Sequence, residues 1–104
     1  MNKVPLRRIV TVINPEGLHA RPADMLVRTA SKFTAEIMIG KDSEFVDCKS
    51  ILSLLTLGAA QGTELTLTAR GDGAATALES IAQLFDAGFD ETDLVRGVEP
   101  AVDS

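Results

Sequence analysis

The chain has 104 residues, enough for one small domain over 1–104 with a modest core. Ten Lys and Arg against fifteen Asp and Glu leave a formal charge of −5, and Trp and Tyr are absent, which argues against non-specific nucleic-acid binding. One Cys and one His rule out an internal disulfide and leave no credible zinc set, and no run is apolar and long enough to span a membrane.

The start, "MNKVPLRRIV", has basic residues but no apolar signal core behind them, so a cytoplasmic protein is expected. Residues 7–13, "RRIVTVI", are β-branched and short, and predict a first strand. In "NPEG", Asn14, Pro15 and Gly17 fit a type I turn. Next, "HARPADMLVRTASKF" puts Ala23, Leu26, Val27, Ala30 and Phe33 near one face at helical spacing. Pro22 suits a first turn, so the helix is expected to begin at or just after His19.

"TAEIMIG" alternates and predicts a half-buried second strand. "KDS" connects it to a short partner, "EFVDC", where Cys48 reads as a small strand residue. "SILSLLTLG" predicts a brief helix with Ser50 as N-cap and Leu54 and Leu57 as core residues. "TELTLTAR" alternates again as a fourth strand, and "GDG" turns the chain. "AATALESIAQLFDAGF" sets Leu78, Ile81, Ala82, Phe85 and Phe89 on one stripe of a third helix. The remainder, "DETDLVRGVEPAVDS", has no clear period and predicts a loose tail.

The resulting order is βαββαβα, an α+β domain with helices on one face of a sheet. Periodicity does not choose the strand order; a split βαβ arrangement fits the same string.

The chemistry gathers at His19. Unpaired N–H groups and roughly half a positive charge mark a helix start, and both favour anions. Pro22 has no N–H, so the expected donors are Ala20, Arg21 and Ala23. Arg21 adds a guanidinium fork suited to phosphate oxygens. An unperturbed histidine, with a pKa of about 6.5, offers a neutral nucleophilic nitrogen near neutral pH. A nucleophile, an anion cradle and a guanidinium thus lie together. On these residues alone, a turn or cap role is the commoner fate of a single histidine. No second histidine, carboxylate pair or Ser/His/Asp set supports a hydrolase or another stand-alone enzyme.

"GLHARPADMLVRTASKF" resembles the active-site segment of the HPr family, the histidine-containing phosphocarriers of the phosphoenolpyruvate-dependent sugar phosphotransferase system. "KSILSLLTLGAAQGTELTLTARG" resembles that family's second signature, in the expected order and separation. The resemblance covers about residues 8–89, leaving an N-terminal extension and a tail over about 92–104. It implies an open-faced β-sandwich: a four-stranded antiparallel sheet in order 1-4-2-3 with three helices on one side.

It further implies a carrier rather than an enzyme. His19 would take a phosphoryl group on Nδ1 from phospho-enzyme I and pass it to enzyme IIA proteins. Arg21 would steady the phosphate, and Ala20 and Pro22 would shape the helix start. No cofactor or metal is implied on the carrier. Ser50 resembles the serine phosphorylated by HPr kinase/phosphorylase, a regulatory site that could also serve a transcriptional regulator. Ile51, Leu52, Leu55 and Arg28 match a partner-docking surface. A mainly regulatory paralogue, acting through phospho-Ser50 or nitrogen-type IIA partners, is the alternative. Glu16 and Asp24 depart from the family pattern as acids near the histidine and on the docking face. A monomer, with neither nucleic-acid partner nor membrane insertion, is expected.

Overall fold

Alternation of apolar and polar residues decides the sheet. In the computed structural model, which describes residues 4–91, β1 (Leu6–Thr11), β2 (Glu36–Lys41), β3 (Glu44–Asp47) and β4 (Glu64–Arg70) form one sheet. Its order is β1-β4-β2-β3 and every neighbouring pair is antiparallel. The strand order implied by the resemblance, 1-4-2-3, is the observed one.

Val10, Ile37, Ile39, Leu65, Leu67 and Ala69 point to one face and are buried. Ile9 pairs with Thr66, and Met38 with Thr68, on the opposite face, which carries no helix among the described residues. Three helices cover the buried side: α1 (Ala20–Ala30), α2 (Ile51–Thr56) and α3 (Ala74–Asp86). From α1 come Ala23, Leu26 and Ala30; from α3 come Ala77, Leu78, Ile81, Ala82 and Phe85. These are the helical stripes that the spacing predicts. Leu54 and Leu57 are buried, as expected for the core pair of the short helix. Ser50 caps that helix, its hydroxyl accepting from the Ser53 N–H at 3.3 Å.

The structure adjusts three expectations. The first helix ends at Ala30, so Phe33 lies beyond it, half-buried against the core. Phe89 does not continue the stripe of α3. It belongs to a 3-10 turn, Gly88–Asp90, with φ of 55°. Its ring is buried edge-on against Phe85, centroids 4.9 Å apart. Cys48 sits in the turn just past β3 rather than in the strand, although its N–H still donates to the Ile37 carbonyl at 2.9 Å. The tail expected over 92–104 lies outside the described residues.

Burial, with Asp47 adding to it, pushes the Cys48 thiol from 9.0 up to about 12. In the unfolded chain it ionises near the ordinary value, so between those limits the unfolded state holds fewer protons than the native one. Stability therefore carries a thiol contribution that is whole below about pH 9 and declines as pH rises toward 12. Urea melts of wild type and Cys48→Ala across that range should show the decline in wild type only, and a disulfide reagent should label native Cys48 only at the rate of unfolding.

Candidate functional site

The loop before α1 is built to place one residue. The Gly17 N–H donates to the Asn14 carbonyl at 3.1 Å, closing the turn expected from "NPEG". Gly17 has φ of 71°, a conformation that costs a side-chain-bearing residue roughly 1–2 kcal/mol. Space excludes a side chain too, since a Cβ there would lie 2.4 Å from the Ala59 carbonyl oxygen. That oxygen instead accepts from the Leu18 N–H at 3.0 Å, tying the loop to the segment between α2 and β4. Leu18 is buried, and the next residue, His19, emerges as the N-cap of α1 in extended backbone.

His19 does not cap the helix with its side chain. Its ring points outward, 37% exposed. Pro22 is buried in the first turn and Ala20 is exposed. The donor set differs in one member from the expected one. The Ala23 N–H is already committed to the His19 carbonyl at 3.1 Å, because it is the first intrahelical donor. The first-turn donors that remain are Ala20 and Arg21.

The structure brings two further side chains to the histidine. Glu91, at the end of the 3-10 turn, sets Oε2 2.7 Å from His19 Nε2. Its Oε1 accepts from Asn14 Nδ2 at 2.8 Å. Asn14 is fully buried and also donates to the Gly17 carbonyl at 2.8 Å, so one amide ties the turn to the far end of the chain. Arg21 Nη1 donates to the Phe89 carbonyl at 3.2 Å and lies 3.6 Å from Glu91 Oε2. Asn14 was visible in the sequence only as a turn former. Glu91 lay in a stretch without periodicity and carried no signal.

The remaining candidates form a second region. α2 packs against α1. On α2, Leu52 is 73% exposed, while Ile51 and Leu55 are about half as exposed, at 36% and 38%. Arg28 and Asp24 are one turn apart on α1 and bond each other at 2.7 Å. The acid expected to disturb the docking face is thus neutralised by the cation expected to serve it. Among the described residues, no group of three His, Cys, Asp or Glu is placed to hold a metal, and no helix is long and apolar enough to cross a membrane.

A histidine displayed at a helix start beside a half-exposed guanidinium suits a transient anion carrier more than a catalyst. Comparison with known proteins gives the same answer. The family model described as "PTS HPr component phosphorylation site" matches residues 6–87. Phosphocarrier protein HPr of Treponema pallidum is 39% identical over 84 residues, covering 81% of this chain and 96% of its own. Phosphocarrier protein NPr of Shewanella violacea is 44% identical over 86 residues, covering 83% and 94%. A crystal structure of HPr from Thermoanaerobacter tengcongensis matches with a TM-score of 0.80 at 38% identity, covering 83% of this chain and 97% of that one. The chain belongs to the HPr family of phosphotransferase-system phosphocarriers and is a carrier protein, not an enzyme. An HPr dimer from the same Thermoanaerobacter matches with a TM-score of 0.66 at 38% identity, covering 86% and 98%, so this fold does not by itself fix the monomer expected from sequence.

Gly17→Ala should destabilise the domain by about 2 kcal/mol or more, since it adds both strain and a clash. Denaturant melts measure the loss, and the His19 ring resonances should shift even where the variant is still folded.

Proposed function

We propose that His19 accepts a phosphoryl group on Nδ1 from phospho-enzyme I and delivers it to enzyme IIA components. The observation that carries this reading is the asymmetry of the ring. Nε2 is held at 2.7 Å by Glu91, whereas among the described residues no hydrogen bond reaches Nδ1. The half-exposed Arg21 guanidinium, beside Glu91, and the Ala20 and Arg21 N–H groups are the donors at the helix start for a phosphate on the ring. The positions of Pro22 and Ala20 keep the helix start rigid and open to a partner.

In the same reading, Leu52 with Ile51 and Leu55 provides the apolar centre of the docking surface, and Arg28 lies at its margin. A phosphate on Ser50 adds about −2 charge next to these residues. Asp47 lies nearby in sequence and binds the Lys49 N–H at 2.9 Å, while the Lys49 ammonium is engaged by the Phe33 carbonyl at 2.8 Å. The added charge therefore meets little local neutralisation and weakens docking of a partner with an apolar or acidic surface. HPr kinase/phosphorylase is the enzyme class for that modification, and a transcriptional regulator is a reader suited to it.

Incubation with enzyme I, magnesium and phosphoenolpyruvate should give an acid-labile, base-stable phosphate on wild type and none on His19→Ala. Arg21→Ala should accept the group roughly ten- to a hundred-fold more slowly, the loss expected for a charge-assisted hydrogen bond of about 1.5–3 kcal/mol. Unlabelled wild type, or a labelled His19→Ala, defeats the proposal. With ATP and the kinase, Ser50→Ala should lose a base-labile label that wild type acquires; equal labelling of both excludes Ser50.

A further inference from the structure

We infer that Glu91 is a positioning residue for phosphoryl acceptance, acting through the Nε2 proton of His19. This rests on His19 being the acceptor, and it assigns a role to a residue outside the two sequence signatures. An ionised carboxylate only accepts hydrogen bonds, so at 2.7 Å from Nε2 it selects the tautomer with the proton on that nitrogen. The Nδ1 lone pair is then bare and faces away from the carboxylate.

The geometry around Glu91 is that of a built contact. Its side chain is only 13% exposed. Both carboxylate oxygens are engaged, one by His19 and the other by the buried Asn14 amide. The chain reaches this position through two consecutive left-handed residues, Phe89 at φ 55° and Asp90 at φ 66°, neither of them glycine. Such strain persists only where the surroundings over-determine it. Here the surroundings are the buried Phe89 ring against Phe85, the Asp90 N–H donating to the Ala87 carbonyl at 3.0 Å, and the Arg21 guanidinium on the Phe89 carbonyl.

The role follows from the electron count. The Nδ1 lone pair forms the new N–P bond as the donor's bond to phosphorus breaks, and the departing group keeps that electron pair. The Nε2 proton stays in place, so the ring gains positive charge, which faces the Glu91 carboxylate. Before transfer the carboxylate fixes the tautomer; after transfer it stabilises the charged ring. Because it sits on the Nε2 side, it leaves the incoming phosphoryl group its approach.

The test uses the full chain with ¹⁵N-labelled histidine, at a pH where the ring is neutral. Wild type should show a pyrrole-like Nε2 and a pyridine-like Nδ1. Glu91→Ala should lose that preference and accept phosphate from phospho-enzyme I roughly ten-fold more slowly. Glu91→Gln, which keeps the shape but not the charge, should also be slowed. A protonated Nδ1 in wild type, an unchanged tautomer in Glu91→Ala, or faster acceptance by Glu91→Ala would each overturn the assignment. The wild-type spectrum needs no variant to fold. Absence of label on wild-type His19 would instead defeat the carrier reading, with the tautomer still read independently.

Discussion

Everything at the site depends on the close approach of the Gly17 backbone to the Ala59 carbonyl. With a left-handed φ and no space for a Cβ, the chain can turn sharply and give Leu18 N–H to that carbonyl. Leu18 is thereby driven into the core and His19 out of it, within one residue. A histidine displayed by such a turn keeps its ring orientation without having to bury it. That suits the proposed role, in which the ring is held rigidly enough to be phosphorylated and stays exposed enough to meet a donor and an acceptor.

The sheet order then sets what surrounds the ring. β4 lies between β1 and β2, so α3, which follows β4, packs across β1 and β4 and also contacts α1. The C-terminal end of α3 thus reaches the start of α1, and residues 72 positions apart meet at His19 and Glu91. Asn14 is the tie between them, donating to both Gly17 and Glu91 from a fully buried position. Among the described residues its Oδ1 finds no partner, a local cost accepted where one amide holds two segments in register.

Much of this was legible in sequence because it was local. The turn at Asn14–Gly17, the start of α1 beside His19, the Ser50 cap and the alternating strands each follow from a few adjacent residues. Strand order was not legible from periodicity, since alternation fixes which face is buried but not which strand is the neighbour. It came from the resemblance alone. Phe89 misled because its spacing continues the helical stripe; the chain leaves the helix at Ala87, and the ring reaches the core by a different backbone path. The commitment of the Ala23 N–H was a matter of which residue caps the helix, a boundary that sequence fixes only to within a residue or so. Glu91 was invisible because its role exists only through tertiary contact.

Charge arrangement also separates the chemistry from recognition. Arg21 is the cation beside the histidine, and it stays about half-exposed even while touching Phe89 and Glu91. The exposed pair of Asp24 and Arg28 is worth only a few tenths of a kcal/mol to the fold, but each compensates the other's charge on α1. With that pair internally compensated, the proposed docking surface rests on exposed apolar groups, above all Leu52. In the proposed reading, a phosphate on Ser50 adds charge next to a surface that is otherwise apolar.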